Sequence, residues 1–299
     1  MEKRAPLPYP TLFGCAAGSS GRVVVVGVPY DRGTASEYAG CARAPSKLRE
    51  LSDPNNTGLM IRGMHDFVQG RTVLQPTDVS DIGDLPYRAN QDDQAYMEFV
   101  AHSVRLVLEA NKQPLLLGGD HLIPLAAFRG VARVHQRIQL IQFDAHHDCG
   151  MLGADERATH SNFIRQVASE QLATQIIQVG VRGFTYEGFS LPDCVRFATP
   201  ANVYSMLDPT VPIYLTVDTD AFDPSIAPGV SYPEPEGLGP DALYGLLDQL
   251  RAEQRRIVAA DWTEYNPRFD TERAIGGRLV LKGLARLIAA MQPHNGIQP

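Results

Sequence analysis

The stretch QFDAHHDCG, residues 142–150, sets two carboxylates, Asp144 and Asp148, around two imidazoles, His146 and His147, directly after the apolar run RIQLI. Titratable side chains at the end of a buried strand are costly unless a hydrogen-bond network or a metal ion satisfies them. Three more segments of this kind follow apolar runs: GGDH (118–121), DTDAFD (218–223) and TEYN (263–266). In extended backbone, residues two apart point the same way. Asp144, His146 and Asp148 can therefore face one point, as can Asp218 and Asp220. His121 completes a set of four carboxylates and two imidazoles.

That set exceeds the needs of one tetrahedral zinc with an open position. It suffices for two divalent ions if carboxylates bridge, and oxygen donors with imidazole suit Mn²⁺ better than thiolate-seeking metals. Two ions about 3.5–4 Å apart can generate a nucleophile from water and stabilise a developing tetrahedral centre. Taken singly, each piece has a plainer reading: a loop histidine after a Gly-Gly turn, capping polarity in DAHHD, a calcium loop in DTDAFD. The calcium reading fails. An EF-hand loop wants acidic or amide side chains at positions 1, 3 and 5 and Gly at 6, whereas counting from Asp218 gives Phe222 at position 5 and Asp223 at position 6. Several acid and histidine exits from strands of one sheet favour the metal. His147 alternates with the ligand positions and is expected to face away from them, behind the ligands, at the surface or against substrate. Asp223 reads as a loop-shaping acceptor, Cys149 as a small apolar residue and Trp262 as a core residue. GCAAGSSG (14–21) lacks the strand and helix that frame a phosphate loop.

Apolar runs predict the elements that position these residues. Strands are expected at 22–31, 72–84, 114–121, 138–144, 175–183, 212–224 and 256–267. Helices are expected from 44, over 94–111 with Tyr96, Phe99, Val100, Val104, Val107 and Leu108 on one face, and over 122–135, 240–255 and 273–291. Strands alternating with helices predict an α/β fold with a parallel sheet covered on both faces. Ligands in such sheets bind beyond the carboxyl ends of the strands. No linker or repeat divides the 299 residues, so one domain over 1–299 is expected, with residues 1–20 as an extended arm.

A formal net charge of −7 argues against nucleic-acid or anionic-membrane partners. No run of about 20 apolar residues predicts a membrane span, and prolines 6, 8 and 10 interrupt any signal-peptide core. The four cysteines are far apart and form no CxxC pair, which fits reduced thiols in a cytoplasmic protein.

These pieces, with VGVPYDRGTASEYAGCARAPSKLRE near the N-terminus, TVDTDAFDPSIAPG followed by PEPEGL, and EYNP, resemble the ureohydrolase (arginase/agmatinase) family over roughly residues 22–290. The resemblance implies a three-layer α/β/α sandwich around a mainly parallel, roughly eight-stranded sheet. It implies two Mn²⁺ per chain, one held by His121, Asp144, Asp148 and Asp218, the other by Asp144, His146, Asp218 and Asp220. His160, in ATHSNF, takes the place of a proton shuttle, and Glu264 that of a carboxylate gripping the substrate guanidinium. Asp148 and His160 are the candidate proton carriers, and the products are urea and an amine. Trimers or hexamers are usual in the family.

Two departures bear on substrate. Ser161 stands where many relatives have Gly. The stretch CGMLGADERAT (149–159) does not match the segment that binds the α-carboxylate in arginases acting on free arginine. A substrate without that carboxylate is therefore expected: agmatine, another small guanidino compound, or arginine within a peptide, which would become ornithine. Loops 149–163 and 184–195 are expected to set the choice. The alternatives are a formiminoglutamase-type hydrolase releasing formamide, a free-arginine arginase, and a non-catalytic metal-bound binding protein.

Overall fold

The computed structural model describes residues 9–35, 37–53, 63–88, 90–151, 157–185 and 189–292. Among them, β1 (Ala16–Ala17), β2 (Val23–Gly27), β5 (Val79–Asp84), β6 (Gln113–Leu117), β7 (Gln139–Phe143), β8 (Gln175–Val179), β9 (Val195–Ala198), β10 (Ile213–Asp218) and β11 (Ile257–Thr263) form one sheet. Its order is β1-β5-β2-β6-β11-β10-β7-β8-β9, and every pairing is parallel. A separate antiparallel hairpin joins β3 (Met64–Asp66) to β4 (Arg71–Leu74).

The central strands are apolar along their whole length because both faces are covered. Alternate residues feed two cores. Val23, Val25, Leu115, Leu117, Ile141 and Phe143 pack on one face with α5 (Pro240–Ala252) and α6 (Ile275–Met291). Val24, Val26, Leu116 and Leu140 pack on the other with α2 (Asp93–Glu109), α3 (Ile123–Ala132) and α4 (Phe163–Ser169). Helix α1 (Ala44–Leu51) joins the first core through Ala44 and Leu48. Asp92 caps α2 by accepting from Ala95 N at 2.8 Å, worth about 1 kcal/mol. No helix among the described residues is long and apolar enough to cross a membrane.

The expected α/β/α architecture is present, and the departures from expectation are local. The run 72–84 is two strands in different sheets. Pro76 interrupts it, and Gln75 and Asp78 close a turn in which Asp78 Oδ2 accepts from Gln75 N at 2.8 Å. On α2 the buried stripe takes Met97 and Ala101, while Phe99 is 38% exposed. The segment read as an arm is docked where it is described: Leu12 and Phe13 are buried, and β1 pairs with β5. Residues 1–8 lie outside the described residues. The two short edge strands, β1 and β9, carry the sheet to nine.

Candidate active site

Strands β6, β11, β10 and β7 are consecutive neighbours in the sheet, so their carboxyl ends lie side by side. Asp144 follows β7, Asp218 ends β10, Glu264 follows β11, and the turn after β6 carries Asp120 and His121. The β6 turn approaches its neighbour so closely that a Cβ on Gly119 would sit 1.5 Å from Tyr30 O. Backbone amides hold one oxygen of each of three aspartates. Asp144 Oδ1 accepts from His146 N at 2.7 Å, Asp220 Oδ1 from Ala145 N at 3.0 Å, and Asp218 Oδ1 from Asp220 N at 2.8 Å. Their second oxygens are left to converge.

Around His121 Nδ1 lie Asp144 Oδ2 and Asp148 Oδ2, each at 2.9 Å, and Asp218 Oδ2 at 3.2 Å. None meets hydrogen-bond geometry with it, and Nδ1 is buried without a partner. The far side of the ring explains why. His121 Nε2 is 2.9 Å from Thr216 Oγ1, whose own proton goes to Asp261 Oδ1 at 2.7 Å. Thr216 therefore accepts from Nε2–H, and Nδ1 presents a lone pair to three carboxylate oxygens. Such an outward hydrogen bond is how a metal-binding histidine is oriented. Beside this group, His146 Nδ1 is 3.0 Å from Asp220 Oδ2 and 3.6 Å from Asp144 Oδ1.

Asp144, Asp148, Asp218 and Asp220 are at most 6% exposed. Burial and the neighbouring carboxylates Asp220 and Asp144 push Asp218 well above the ordinary range. A cation placed among these atoms would relieve both the repulsion and the bare lone pair. Two sets have ligand atoms close enough to hold one: His121, Asp144 and Asp218, and Asp144, His146 and Asp220. Asp144 belongs to both, whereas Asp218 falls in the first. All donors are oxygen or imidazole nitrogen. These residues fit two divalent ions.

Sequence reasoning missed several partners. Gln142 donates Nε2 to Asp144 Oδ2 and, at 3.3 Å, to Asp148 Oδ2. Gln178 in turn holds Gln142 Oε1 at 2.6 Å and His147 O at 2.7 Å. The signal was present, since Gln142 lies two residues before Asp144 on a buried strand. Asp120 is also buried. Its Oδ2 accepts from Gly33 N at 2.5 Å, and burial followed by the charge of Glu264 pushes it up to about 7.

His160 and Glu264 lie beside the cluster, with Nδ1 and Oε1 3.6 Å apart. Glu264 Oε1 accepts from His121 N at 2.9 Å, and Cys41 Sγ lies 3.3 Å from Oε2. Burial disfavours charge on both groups, yet their mutual attraction wins: Glu264 is held below its usual range and His160 is pushed up to about 9. Asn162 Oδ1 accepts from Thr159 N at 2.9 Å and closes the turn that presents His160. Tyr232 stacks on His160 at 5.4 Å. Asp148 and Glu264 sit at φ 44° and 57°, a left-handed conformation that costs non-glycine residues about 1–3 kcal/mol. His147 belongs to neither ligand group but lines the same cavity as the cluster. Its Nδ1 accepts from Cys149 N at 2.9 Å and its ring stacks on Phe189 at 4.3 Å. Asp223 shapes its loop by accepting from Ser225 N and Gly237 N, and Cys149 and Trp262 are buried.

A cavity of about 320 Å³ opens over His121, Asp148, His160, Asp218, Tyr232 and Glu264, and no Lys or Arg lines it among the described residues. Residues 152–156 and 186–188 of the two loops expected to govern substrate choice lie outside the described residues.

A family model described as the arginase family matches residues 21–289. The chain belongs to the arginase family. An agmatinase of Proteus mirabilis is 30% identical over 279 residues, spanning 89% of this chain and 87% of that protein. A mitochondrial arginase of Medicago truncatula is 28% identical, spanning 94% and 84%. Among solved structures, proclavaminate amidino hydrolase from Streptomyces clavuligerus superimposes with a TM-score of 0.79 at 27% identity, covering 96% of this chain and 99% of that one. Arginase-family membership makes this chain a hydrolase of C–N bonds in linear amidines.

Proposed function

We propose that the chain is a binuclear manganese amidinohydrolase that cleaves a guanidino group to urea and an amine. Its substrate lacks a free α-carboxylate: an agmatine-like guanidino compound or arginine within a peptide. The observation that carries the metal reading is the bare, buried Nδ1 of His121 facing three carboxylate oxygens. The substrate reading rests on the acidic cavity wall, which offers no described Lys or Arg to a carboxylate.

In this reading His121, Asp144, Asp148 and Asp218 hold one ion, and Asp144, His146, Asp218 and Asp220 the other. Bound there, the ions would supply a water-derived nucleophile at neutral pH and charge stabilisation for the tetrahedral stage. Glu264, anionic and buried, fixes the substrate guanidinium by charge-assisted hydrogen bonds. It also keeps His160 protonated at neutral pH, so His160 can give its proton to the departing nitrogen. Asp148 is the second proton carrier. Tyr232 walls the slot beside His160. The oxygen-rich donor set supports Mn²⁺. Two cores on the faces of one continuous sheet support a single domain, the family resemblance supports a trimer or hexamer, and scattered cysteines without a CxxC pair support a cytoplasmic protein.

The test is urea release from agmatine, guanidinobutyrate, free arginine and arginine-containing peptides, with and without Mn²⁺. Urea from agmatine or from an arginine-containing peptide, dependent on the metal, is the expected result. No urea from any of them with metal-loaded protein overturns the reading, and formamide from a formimino substrate would replace it.

A further inference from the structure

The sheet's other end carries the opposite charge. The chain has a formal net charge of −7, yet Arg22, Lys112, His135, Arg251, Arg255 and Arg256 gather near the amino ends of β2, β6 and β11. They line two adjoining cavities of about 370 and 240 Å³ that share Arg22, Gln113 and Arg256. No Asp or Glu lines either cavity among the described residues.

The contacts of these side chains are neutral. Arg22 Nε donates to Gln113 Oε1 at 3.1 Å, Lys112 Nζ to the Ser19 carbonyl, and Arg255 Nη2 to the Asp208 carbonyl at 2.6 Å. Elsewhere arginines find carboxylates: Arg49 with Asp81, Arg129 with Glu170, Arg133 with Glu98, Arg286 with Asp66. Arg251 is the extreme case, because its Nε and Nη1 are buried with no hydrogen-bond partner. A buried donor left unsatisfied costs about 1–3 kcal/mol, more when charged.

Helix ends explain part of this pattern. Helices α2, α3 and α5 end near these residues, and a helix carboxyl end carries roughly half a negative charge. Three such ends do not balance five permanent cations, and they leave Arg251 unpaired.

We propose that this basic hollow is a binding site for a small molecule carrying two phosphate groups. Guanidinium groups match phosphate oxygens in bidentate fashion. A phosphate ester carries up to two charges, so one group in each cavity neutralises most of the five cations, with Arg22 and Arg256 between them. Arg251, Arg255 and Arg256 line one of the two cavities together and supply the guanidinium groups that would face such a ligand. The site is remote from the acidic cluster, which lies at the opposite ends of the same strands.

The test is calorimetric titration of the full-length, Mn²⁺-loaded protein at low ionic strength with fructose 1,6-bisphosphate, adenosine 3′,5′-bisphosphate and inorganic phosphate. Saturable binding of a bisphosphate, tighter than phosphate and weakened by added salt, is the expected result. The double variant Arg251→Gln, Arg256→Gln should raise the dissociation constant about tenfold or more. Its melting temperature should not fall, since it loses unpaired donors rather than bonds. A preference for the adenosine compound would mark a nucleotide-type ligand, and equal affinities would mark recognition through phosphate alone. No saturable binding of either bisphosphate, or binding that the folded double variant retains in full, overturns the proposal.

Discussion

Replacing Glu264 with Gln keeps the shape of the side chain and removes its charge, and two consequences separate cleanly. The first concerns His160. Burial alone would depress that imidazole; the Glu264 carboxylate 3.6 Å away overcomes burial and lifts it from 6.5 to about 9. At about 1.4 kcal/mol per unit, the lift reflects some 3 kcal/mol of interaction. In Glu264→Gln burial is opposed only by the charges of Asp120 and Asp148, so the imidazole should titrate below its wild-type value. Because the charged form is the proton donor, wild-type turnover should be lost as pH rises through about 9. In the variant that alkaline loss should move to lower pH. The second consequence is on recognition: one charge-assisted pair with the guanidinium is worth about 1.5–3 kcal/mol, so substrate affinity should fall roughly 10- to 100-fold. The amide oxygen can still accept from His121 N, so the fold and metal content should hold. Urea release measured from pH 6 to about 10, with substrate binding followed by calorimetry, reads both effects. An unchanged alkaline limb together with unchanged affinity would remove Glu264 from the site.

Asp144→Ala should abolish metal binding and turnover together, because Asp144 belongs to both ligand groups; elemental analysis of the purified variant, alongside a urea assay, checks it, and retention of two ions refutes the bridging role. His160→Ala should lower turnover by about 10²–10⁴ with both ions still bound; a variant that loses metal instead would show that His160 has been given the wrong role. Gly283→Ala tests the packing beneath the site, since its Cβ would sit 2.2 Å from the Trp262 ring, which Thr219 holds through Nε1 at 3.1 Å. A loss of about 1–3 kcal/mol of stability is expected in denaturant unfolding, and an unchanged midpoint would mean that α6 shifts freely over β11.

The candidate site was legible because it interrupts a pattern. Apolar strands that end in Asp, His and Glu cannot be accounted for by packing, so His121, Asp144, His146, Asp148, Asp218 and Asp220 announce themselves in the sequence. The order of the sheet was not legible. Strand β11 is the last in the chain yet inserts between β6 and β10, a pairing set by tertiary packing with no local signal. The supporting partners were hidden for a related reason. Gln142, Thr216 and Asp261 lie inside runs that read as core strands, and their roles depend on which strands are neighbours. Phe99 shows the limit of helical periodicity: α2 can rotate its stripe by one position, and the neighbour it meets, α3, decides which residues are covered.

The two ends of the sheet expose a division of labour in the fold. Parallel strands make all carboxyl ends fall on one edge, so four exits from distant parts of the chain meet without any of them needing a long loop. That convenience concentrates like charge. Four buried carboxylates and two left-handed residues, Asp148 and Glu264, are states that the folded chain would not adopt for stability alone. The large apolar cores on both faces supply the surplus that makes them tolerable. Any cation that binds the folded chain and not the unfolded one returns part of that cost by mass action. Fold and site are therefore coupled through charge: the geometry that makes the cluster expensive when bare is the geometry that would give a divalent ion its affinity.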